Sequence, residues 1–76
     1  MKELIEYIAK SIVSTPGEVK VTEETDDKSM VVVKLEVAPD DKGRVIGRQG
    51  RVAEAMRTLL RVVATKDDVR VRLEIL

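Results

Sequence analysis

The sequence predicts an α+β protein with two layers, in which three helices cover one face of a three-stranded sheet. Apolar residues recur at intervals of three and four in two long segments, which is typical of helices that bury one side. In three shorter segments apolar and polar residues alternate, as in strands with one buried face. The chain has 76 residues, 43% of them hydrophobic. We therefore expect one domain, 1–76, whose elements bury their apolar faces against each other.

The first half of the chain predicts one helix followed by two strands. Apolar residues at helical spacing predict the helix over 2–13, and a Thr-Pro-Gly sequence at 15–17 ends it. Alternation at 19–22 predicts a short strand, and a longer alternating run predicts a second strand over 31–37. The polar segment 22–29 carries four acidic residues and one lysine and has the length of a hairpin loop.

The second half predicts two helices and a last strand. Asp40 and Asp41 precede a short turn of helix that runs to Ile46, because acids suit the N-terminus of a helix. The clearest helix begins after Gly50. A final strand is predicted over 69–75, so the order is α-β-β-α-α-β. The apolar stripe of the long helix is predicted to consist of Val52, Ala55, Met56, Leu59, Leu60 and Val63.

Composition excludes most kinds of enzyme. The chain contains neither cysteine nor histidine, which removes disulfides, thiolate nucleophiles, imidazole bases and nearly every zinc or haem site. The remaining carboxylates, lysines, arginines and single tyrosine form no recognisable catalytic group. No secretion signal or membrane-spanning run is present in the sequence. We expect a non-catalytic, cytoplasmic domain that holds no cofactor and no metal.

Charge is distributed unevenly between the two halves of the chain, although the net charge is zero. Residues 1–41 carry five lysines against ten carboxylates, and residues 42–76 carry nine basic residues against four acidic ones. All seven arginines lie in the second part. Such a balance also fits an ordinary solvated helix face, but its concentration beside a glycine-containing segment favours an anionic partner.

That segment, residues 47–50, is called the glycine loop below. Gly47 and Gly50 allow the backbone to turn sharply and to approach a ligand without a Cβ. Arg48 and Gln49 lie between them at the tip, and the long helix that follows offers the positive end of its dipole. Glycine, cation and helix N-terminus together predict a site for phosphate groups. The alternative is that the first glycine simply ends a helix.

Other phosphate-binding and RNA-binding patterns fit less well. A Walker loop requires Lys-Ser or Lys-Thr after its last glycine, and a dinucleotide fingerprint requires a further glycine two residues before the pair. Neither is present. RRM and OB-fold proteins stack bases on exposed aromatic side chains, whereas this chain has only Tyr7. Backbone contacts, aliphatic side chains and arginine must therefore carry any binding of single strands.

The sequence Val-Ile-Gly-Arg-Gln-Gly at 45–50, between two helices inside a β-α-α-β core, resembles the GxxG signature of the KH domain. The helix and strand that precede this core match the type II arrangement, so the resemblance implies a type II KH fold over the whole chain. The longer string GRQGRVAEAMRTLL, from Gly47 to Leu60, is similar to the small single-KH bacterial RNA-binding proteins of the KhpA family.

The resemblance implies a non-catalytic protein that binds single-stranded RNA, with the glycine loop clamping the backbone of about four nucleotides. Val45 and Ile46 would form the apolar floor under the bases, opposite aliphatic residues of the strand at 31–37. The segment 22–29 would be the variable loop on the far wall, where its acids would repel phosphate. The implied RNA-binding residues are Arg44, Val45, Ile46, Gly47, Arg48, Gln49, Gly50 and Arg51.

The resemblance also implies partners and a biological role. A domain that reads about four nucleotides gains affinity as a dimer. The family points to a homodimer or to a heterodimer with a larger Jag-like KH protein (KhpB or EloR). It further implies a post-transcriptional regulator or RNA chaperone linked to cell shape. The alternative is a protein–protein adaptor that keeps the KH fold but binds little RNA, which the acidic segment and the neutral charge would favour.

Overall fold

The computed structural model describes residues 1–76 and confirms the α-β-β-α-α-β order. Three short 3-10 turns connect the main elements, at Pro16–Glu18, Pro39–Asp41 and Arg48–Gly50. The helices and strands are α1 (Lys2–Ile12), β1 (Lys20–Thr25), β2 (Met30–Glu36), α2 (Lys42–Ile46), α3 (Arg51–Lys66) and β3 (Arg70–Ile75). No helix combines the length and the apolar character that crossing a membrane requires.

The sheet is mixed, with β2 in the centre. β1 pairs with β2 in antiparallel fashion, and Lys20 lies opposite Glu36. β2 pairs with β3 in parallel fashion, so that Met30 lies opposite Arg70 and Leu35 opposite Ile75. The connection between the two parallel strands passes through α2 and α3. This connection places α3 against β3 and leaves β1 and β3 as the two edges of the sheet.

The core lies between the sheet and the three helices, as the sequence predicts. Alternate residues of β2 and β3 face the helices, and the residues between them face the open side of the sheet. The helix-facing residues of β2 are buried, while in β3 Leu73 is buried and Val71 and Ile75 are partly exposed. The open side carries mainly charged and polar residues, so the fold has two layers. The residues with the least exposure are Ile5, Ala9, Val33, Leu35, Val45, Met56 and Leu60.

The first strand is longer than the sequence predicts, and the hairpin loop is correspondingly shorter. Glu23 and Glu24 belong to β1 rather than to a loop over 22–29, because their backbone pairs with β2. The exposed positions of an edge strand need no apolar side chains, so the alternation of apolar and polar residues does not reveal this end of β1. The remaining loop, 26–29, is closed by Asp26, whose carboxylate accepts hydrogen bonds from the amides of Lys28 and Met30.

The buried side of α3 also differs from the predicted stripe. Ala53, Met56, Leu60 and Ala64 are buried against the sheet. Ala55 is exposed, and the side chains of Leu59 and Val62 are 45% and 55% exposed. The alanines let α3 approach β3 closely, and part of the predicted stripe is left facing solvent.

Candidate nucleic-acid interface

The glycine loop is a tight turn between α2 and α3. Gly47 ends α2, since its amide donates a hydrogen bond to the carbonyl of Gly43 at 2.8 Å, and the amide of Gly50 donates to the carbonyl of Gly47 at 3.1 Å. Gly47 has a φ of 78°, and an added Cβ would lie 2.5 Å from Cγ2 and 2.8 Å from N of Val52. Both the conformation and the space therefore require glycine at this position.

The tip of the loop presents a cation and an amide side chain to solvent. Arg48 and Gln49 are exposed, and Gln49 has a φ of 56°, a left-handed conformation that non-glycine residues adopt at some cost. A guanidinium nitrogen of Arg51 donates a hydrogen bond to the side-chain carbonyl of Gln49 at 3.3 Å. No side chain caps the N-terminus of α3, so the positive end of its dipole lies directly behind this tip.

Beside the loop lies a cleft of about 540 Å³ between the start of α3 and the end of β3, called the loop cleft below. Ile46 contributes a side chain that is 41% exposed, and Gly50 opens the wall on the loop side. The β3 side is largely aliphatic. The lining residues are Ile46, Gly50, Ala53, Arg57, Leu73, Glu74, Ile75 and Leu76.

The outer edge of β3 contributes unpaired backbone groups to this region. The amide of Arg70 donates to Ser29 and the amide of Leu76 donates to Leu35, so the even-numbered residues turn their backbone groups toward β2. Successive strand residues alternate in direction. The N–H and C=O groups of Leu73 and Ile75 therefore face away from the sheet, on the side where the loop cleft opens.

Two of the expected contacts with a base are placed elsewhere by the structure. Val45 is the buried residue of α2 and is completely inaccessible, so it supports the position of Ile46 and has no surface for a base. The aliphatic residues of the strand predicted over 31–37 are likewise in the core. The aliphatic wall opposite Ile46 comes instead from the end of β3 and the residue after it, Ile75 and Leu76.

The acidic segment predicted as the far wall is also in another place. Its remaining loop, 26–29, adjoins Met30 at one end of the sheet, whereas the loop cleft adjoins Ile75 at the other end. Five strand residues separate the two levels, which corresponds to about 17 Å. The acids of this segment therefore do not line the loop cleft.

Arg44 differs from the other predicted basic residues because it has an ion-pair partner. Its Nε lies 3.6 Å from the carboxylate of Asp41, which is almost completely buried. The amide of Ser14 donates to this carboxylate and is the largest cause of a lowered pKa of Asp41. Burial acts against it, and the amide of Thr15 and the charge of Arg44 reinforce it. Arg48 and Arg51 make no ion pair and are free for an anion.

The structure adds basic residues to the site that the sequence analysis treated as solvated surface. Arg57 lines the loop cleft, and Arg61 follows one turn later on the same helix. In the sequence, the only indication that these residues belong to the site is the excess of arginine after residue 41.

A mixed three-stranded sheet, three helices on one face and a glycine loop between the second and third helices define a KH domain of the type II arrangement. The chain belongs to the KhpA/KhpB KH-domain family, which matches residues 2–75. This family is non-enzymatic. The sequence-based assignment to this fold and family is thus confirmed.

Curated relatives extend over the full chain. The chain is 50% identical to the "RNA-binding protein KhpA" of Clostridium acetobutylicum over 76 residues, covering 100% of both chains. It is 47% identical to the protein of the same name from Halalkalibacterium halodurans, covering 100% of this chain and 99% of that one. The corresponding Treponema pallidum protein is 45% identical over 99% of this chain and 92% of its own. No solved structure matches the chain.

Proposed function

We propose that this protein binds single-stranded RNA in the loop cleft, with the glycine loop clamping the RNA backbone. The proposal rests on two features of the structure that lie beside each other. The loop with unpaired Arg48 forms one wall of an open cleft, and a strand edge with free backbone groups forms the other. The relatives named RNA-binding protein KhpA support this class of ligand.

The loop would bind phosphate groups in three ways. Gly47 and Gly50 let the RNA backbone approach the main chain, Arg48 offers a guanidinium at the tip, and the N-terminus of α3 adds its dipole. Gln49 is held by Arg51, which keeps both side chains at the tip. Arg44 would contribute less, because Asp41 already neutralises it.

The bases would lie on the aliphatic surface of the cleft. Ile46, Ile75 and Leu76 supply apolar contacts, and the outward N–H and C=O groups of β3 offer a donor and an acceptor to the edge of a base. Tyr7, the sole aromatic residue, lies on α1 and lines no part of the cleft. Recognition therefore rests on aliphatic and backbone contacts rather than on aromatic stacking.

A titration of fluorescent single-stranded RNA with the double variant Arg48→Asp/Gln49→Asp tests the proposal. Two carboxylates at the tip are expected to abolish binding by repelling phosphate, while the circular dichroism spectrum stays unchanged. The matched control is Lys28→Asp/Ser29→Asp, which makes the same charge change in the hairpin loop at the other end of the sheet. Failure of the wild type to bind RNA, or equal binding by the Arg48→Asp/Gln49→Asp variant, would overturn the proposal.

The expected affinity for one short strand is modest. A cleft of this size contacts few phosphates, and each contact on a single strand adds about −0.7 to the slope of log K against log salt. We therefore expect a shallow salt dependence. Pairing of two chains would raise the effective concentration of the second cleft for one RNA.

We propose that the protein forms a homodimer through α3. Leu59 and Val62 are exposed apolar residues on α3 and line none of the cavities beside β3, so their pairing would leave the RNA site open. Sedimentation equilibrium is expected to show a dimer for the wild type and a monomer for Leu59→Asp. The control Thr58→Asp changes an exposed polar neighbour. Monomeric wild type would contradict the homodimer and favour the heterodimer with a larger Jag-like KH protein (KhpB or EloR).

The second candidate function is a protein–protein adaptor. The exposed Leu59 and Val62 and the zero net charge favour it. Two measurements distinguish the two functions. For an adaptor, the wild-type protein binds little RNA, and the Arg48→Asp/Gln49→Asp variant still binds its protein partner. A role as a cytoplasmic post-transcriptional regulator or RNA chaperone that influences cell shape follows from the RNA-binding proposal and stays a prediction.

A further inference from the structure

The glycine loop has few hydrogen bonds that fix it to the rest of the molecule. The amide of Gly47 donates to Gly43 of α2, and the amide of Gly50 donates back to Gly47 within the loop. The side chains of Gln49 and Arg51 bond to each other at the exposed tip, and no side chain caps the start of α3. No hydrogen bond joins the loop to the sheet or to α1, so packing has to hold it in place.

The backbone of the loop depends on such support. Its φ angles are positive at three of four residues, with 78° at Gly47, 56° at Gln49 and 75° at Gly50. The glycines have many other conformations open to them, so holding them in one costs entropy. Gln49 adopts its left-handed conformation against the preference of a residue with a Cβ. A loop with these angles keeps one shape only where its surroundings impose it.

Val52 is the side chain that packs against this backbone. It is the second residue of α3, is partly buried and lies against the hydrophobic core. Its Cγ2 and Cβ lie 2.5 Å and 2.8 Å from the position that a Cβ would have on Gly47. The space around a Cβ at the other glycines, Gly17, Gly43 and Gly50, is empty to 4 Å. Val52 therefore fills the place where a side chain of Gly47 would lie.

The shape of valine suits this contact. Its Cβ carries two methyl groups, and in a helix this branching leaves one strongly preferred χ1 rotamer. The side chain is therefore a stiff surface that is fixed to the core on one side and touches Gly47 on the other. Alanine at this position would have no atom beyond Cβ, and the first residue of the loop would lose its contact with α3.

We infer that Val52 is a positioning residue, which holds the glycine loop in the shape that clamps RNA. Val52 does not line the loop cleft and acts through Gly47, whose place determines where Arg48 and Gln49 lie. The inference rests on the proposed function, because the loop is the part that grips the RNA backbone. A loop that is already ordered binds its ligand without the entropy cost of ordering.

The test compares Val52→Ala and Val52→Thr in titrations with a labelled oligouridine of about four nucleotides. Val52→Ala is expected to bind about tenfold more weakly, which is the factor that ordering the backbone of one residue costs. Val52→Thr keeps the branched shape and is expected to bind within about twofold of the wild type. Urea denaturation should show a loss of stability in both variants, since both lose apolar surface. Affinity would thus follow the shape of the side chain, and stability its hydrophobicity.

Val69→Ala is the matched control. Val69 is also partly buried and lies against the core, but it follows α3 at the end remote from the loop. Its truncation removes the same atoms and should lower stability while leaving RNA affinity unchanged. A tenfold loss of affinity in this control would mean that binding follows stability alone, and would overturn the inference.

The motion of the loop is measured directly by NMR relaxation in the absence of RNA. Backbone order parameters of residues 47–50 are expected to fall below about 0.6 in Val52→Ala, the range of flexible backbone, and to stay at the wild-type values in Val52→Thr and Val69→Ala. Unchanged order parameters in Val52→Ala, or equal losses of affinity in Val52→Ala and Val52→Thr, would overturn the inference. Failure of the proposed function is distinguishable, because the wild type would then bind no RNA while the order parameters would still decide whether Val52 holds the loop.

Discussion

The two edges of the sheet have opposite characters, although each is formed by a strand of six residues. At the β1 edge, α1 packs closely against the strand, and the acids are engaged locally. Glu23 accepts a hydrogen bond from the amide of Lys2, and Glu24 pairs with Lys34 at 3.5 Å. At the β3 edge, α3 also packs against the strand, but open clefts remain where the two elements meet, and Arg57 lines two of them. An edge strand can offer a binding site where clefts remain between the strand and the helix that packs against it.

The difference arises from the connections of the chain. α1 and β1 meet directly, and so do α3 and β3, but only α3 is preceded by the glycine loop, which fixes where the helix begins. Because β2 and β3 are parallel, the loop lies at the C-terminal end of β3, beside Ile75. The free strand edge, the loop and the N-terminus of α3 therefore meet at one place.

The largest expected effect comes from Gly47→Ala, which removes the turn that separates α2 from α3. The new methyl group would collide with Val52, and a φ of 78° is unfavourable for alanine. We expect the free energy of unfolding to fall by about 1–3 kcal/mol, and RNA affinity to fall by at least about tenfold because the loop is displaced. Urea denaturation and RNA titration measure the two effects.

Gly43→Ala is the matched control for this substitution. Gly43 lies within α2 and has no atom within 4 Å of an added Cβ, so alanine is expected to stabilise the helix by about 0.5–1 kcal/mol. If both variants are equally stable, the geometry of the glycine loop does not depend on Gly47.

The next effect concerns the aliphatic wall of the loop cleft. Ile46→Ala removes apolar surface that a base would cover, at about 0.8 kcal/mol for each methylene. RNA affinity is therefore expected to fall by about fivefold to tenfold, with little change in the melting temperature, because the side chain is 41% exposed. Tyr7→Ala, on α1 and outside the loop cleft, should leave affinity unchanged. A larger loss for Tyr7→Ala would move the site toward α1.

The order of the elements could be predicted from the sequence because each helix and strand has a clear period. The end of β1 could not, since Glu23, Glu24 and Thr25 lack alternation and are held in the strand by backbone pairing with β2. The phase of α3 was also ambiguous. Two overlapping apolar stripes exist on this helix, and only packing shows that Ala53 and Ala64 face the sheet.

The sequence identifies the glycine loop of the candidate site but not the strand that forms its other wall. Glycines three apart with arginine between them identify the loop by local chemistry alone. The β3 wall depends on strand order, which alternation does not encode, so the sequence does not identify Ile75 and Leu76, and the family resemblance points to the strand over 31–37 instead. Val45 was placed under the bases because a sequence pattern cannot distinguish a buried aliphatic residue from an exposed neighbour such as Ile46.

A third prediction concerns Asp41, which links α1 to α2. Its carboxylate accepts hydrogen bonds from the amides of Ser14 and Thr15, just after α1, and forms an ion pair with Arg44 of α2. Its pKa is lowered from the ordinary value of 3.8, chiefly by the amide of Ser14. A lowered pKa in the folded state stabilises the fold above the unfolded value, and this stabilisation is lost as pH falls through the folded value. Asp41→Asn should therefore be less stable at neutral pH and depend less on pH in this acid range.

Asp26→Asn is the informative comparison for this variant. The amide of Met30 is the main cause of a lowered pKa for Asp26 as well, so both variants should flatten the acid limb of a plot of unfolding free energy against pH. Only Asp41→Asn should also weaken RNA binding at neutral pH, because only Asp41 holds the start of α2. Equal RNA affinity in the two variants would show that the glycine loop keeps its position without this contact.

The smallest effect is expected from Glu23→Gln/Glu24→Gln on the β1 edge. These carboxylates lie on β1, where Glu23 is opposite Val33 of the central strand and Val33 is opposite Leu73. Two strand spacings, about 10 Å in total, therefore separate them from β3, which is beyond the screening length of about 8 Å at physiological salt. RNA affinity should therefore change by less than about twofold, and the change should grow at low salt, where screening weakens. Titrations at two salt concentrations measure it. A tenfold gain at physiological salt would mean that these acids line the RNA path and that the two edges are not functionally separate.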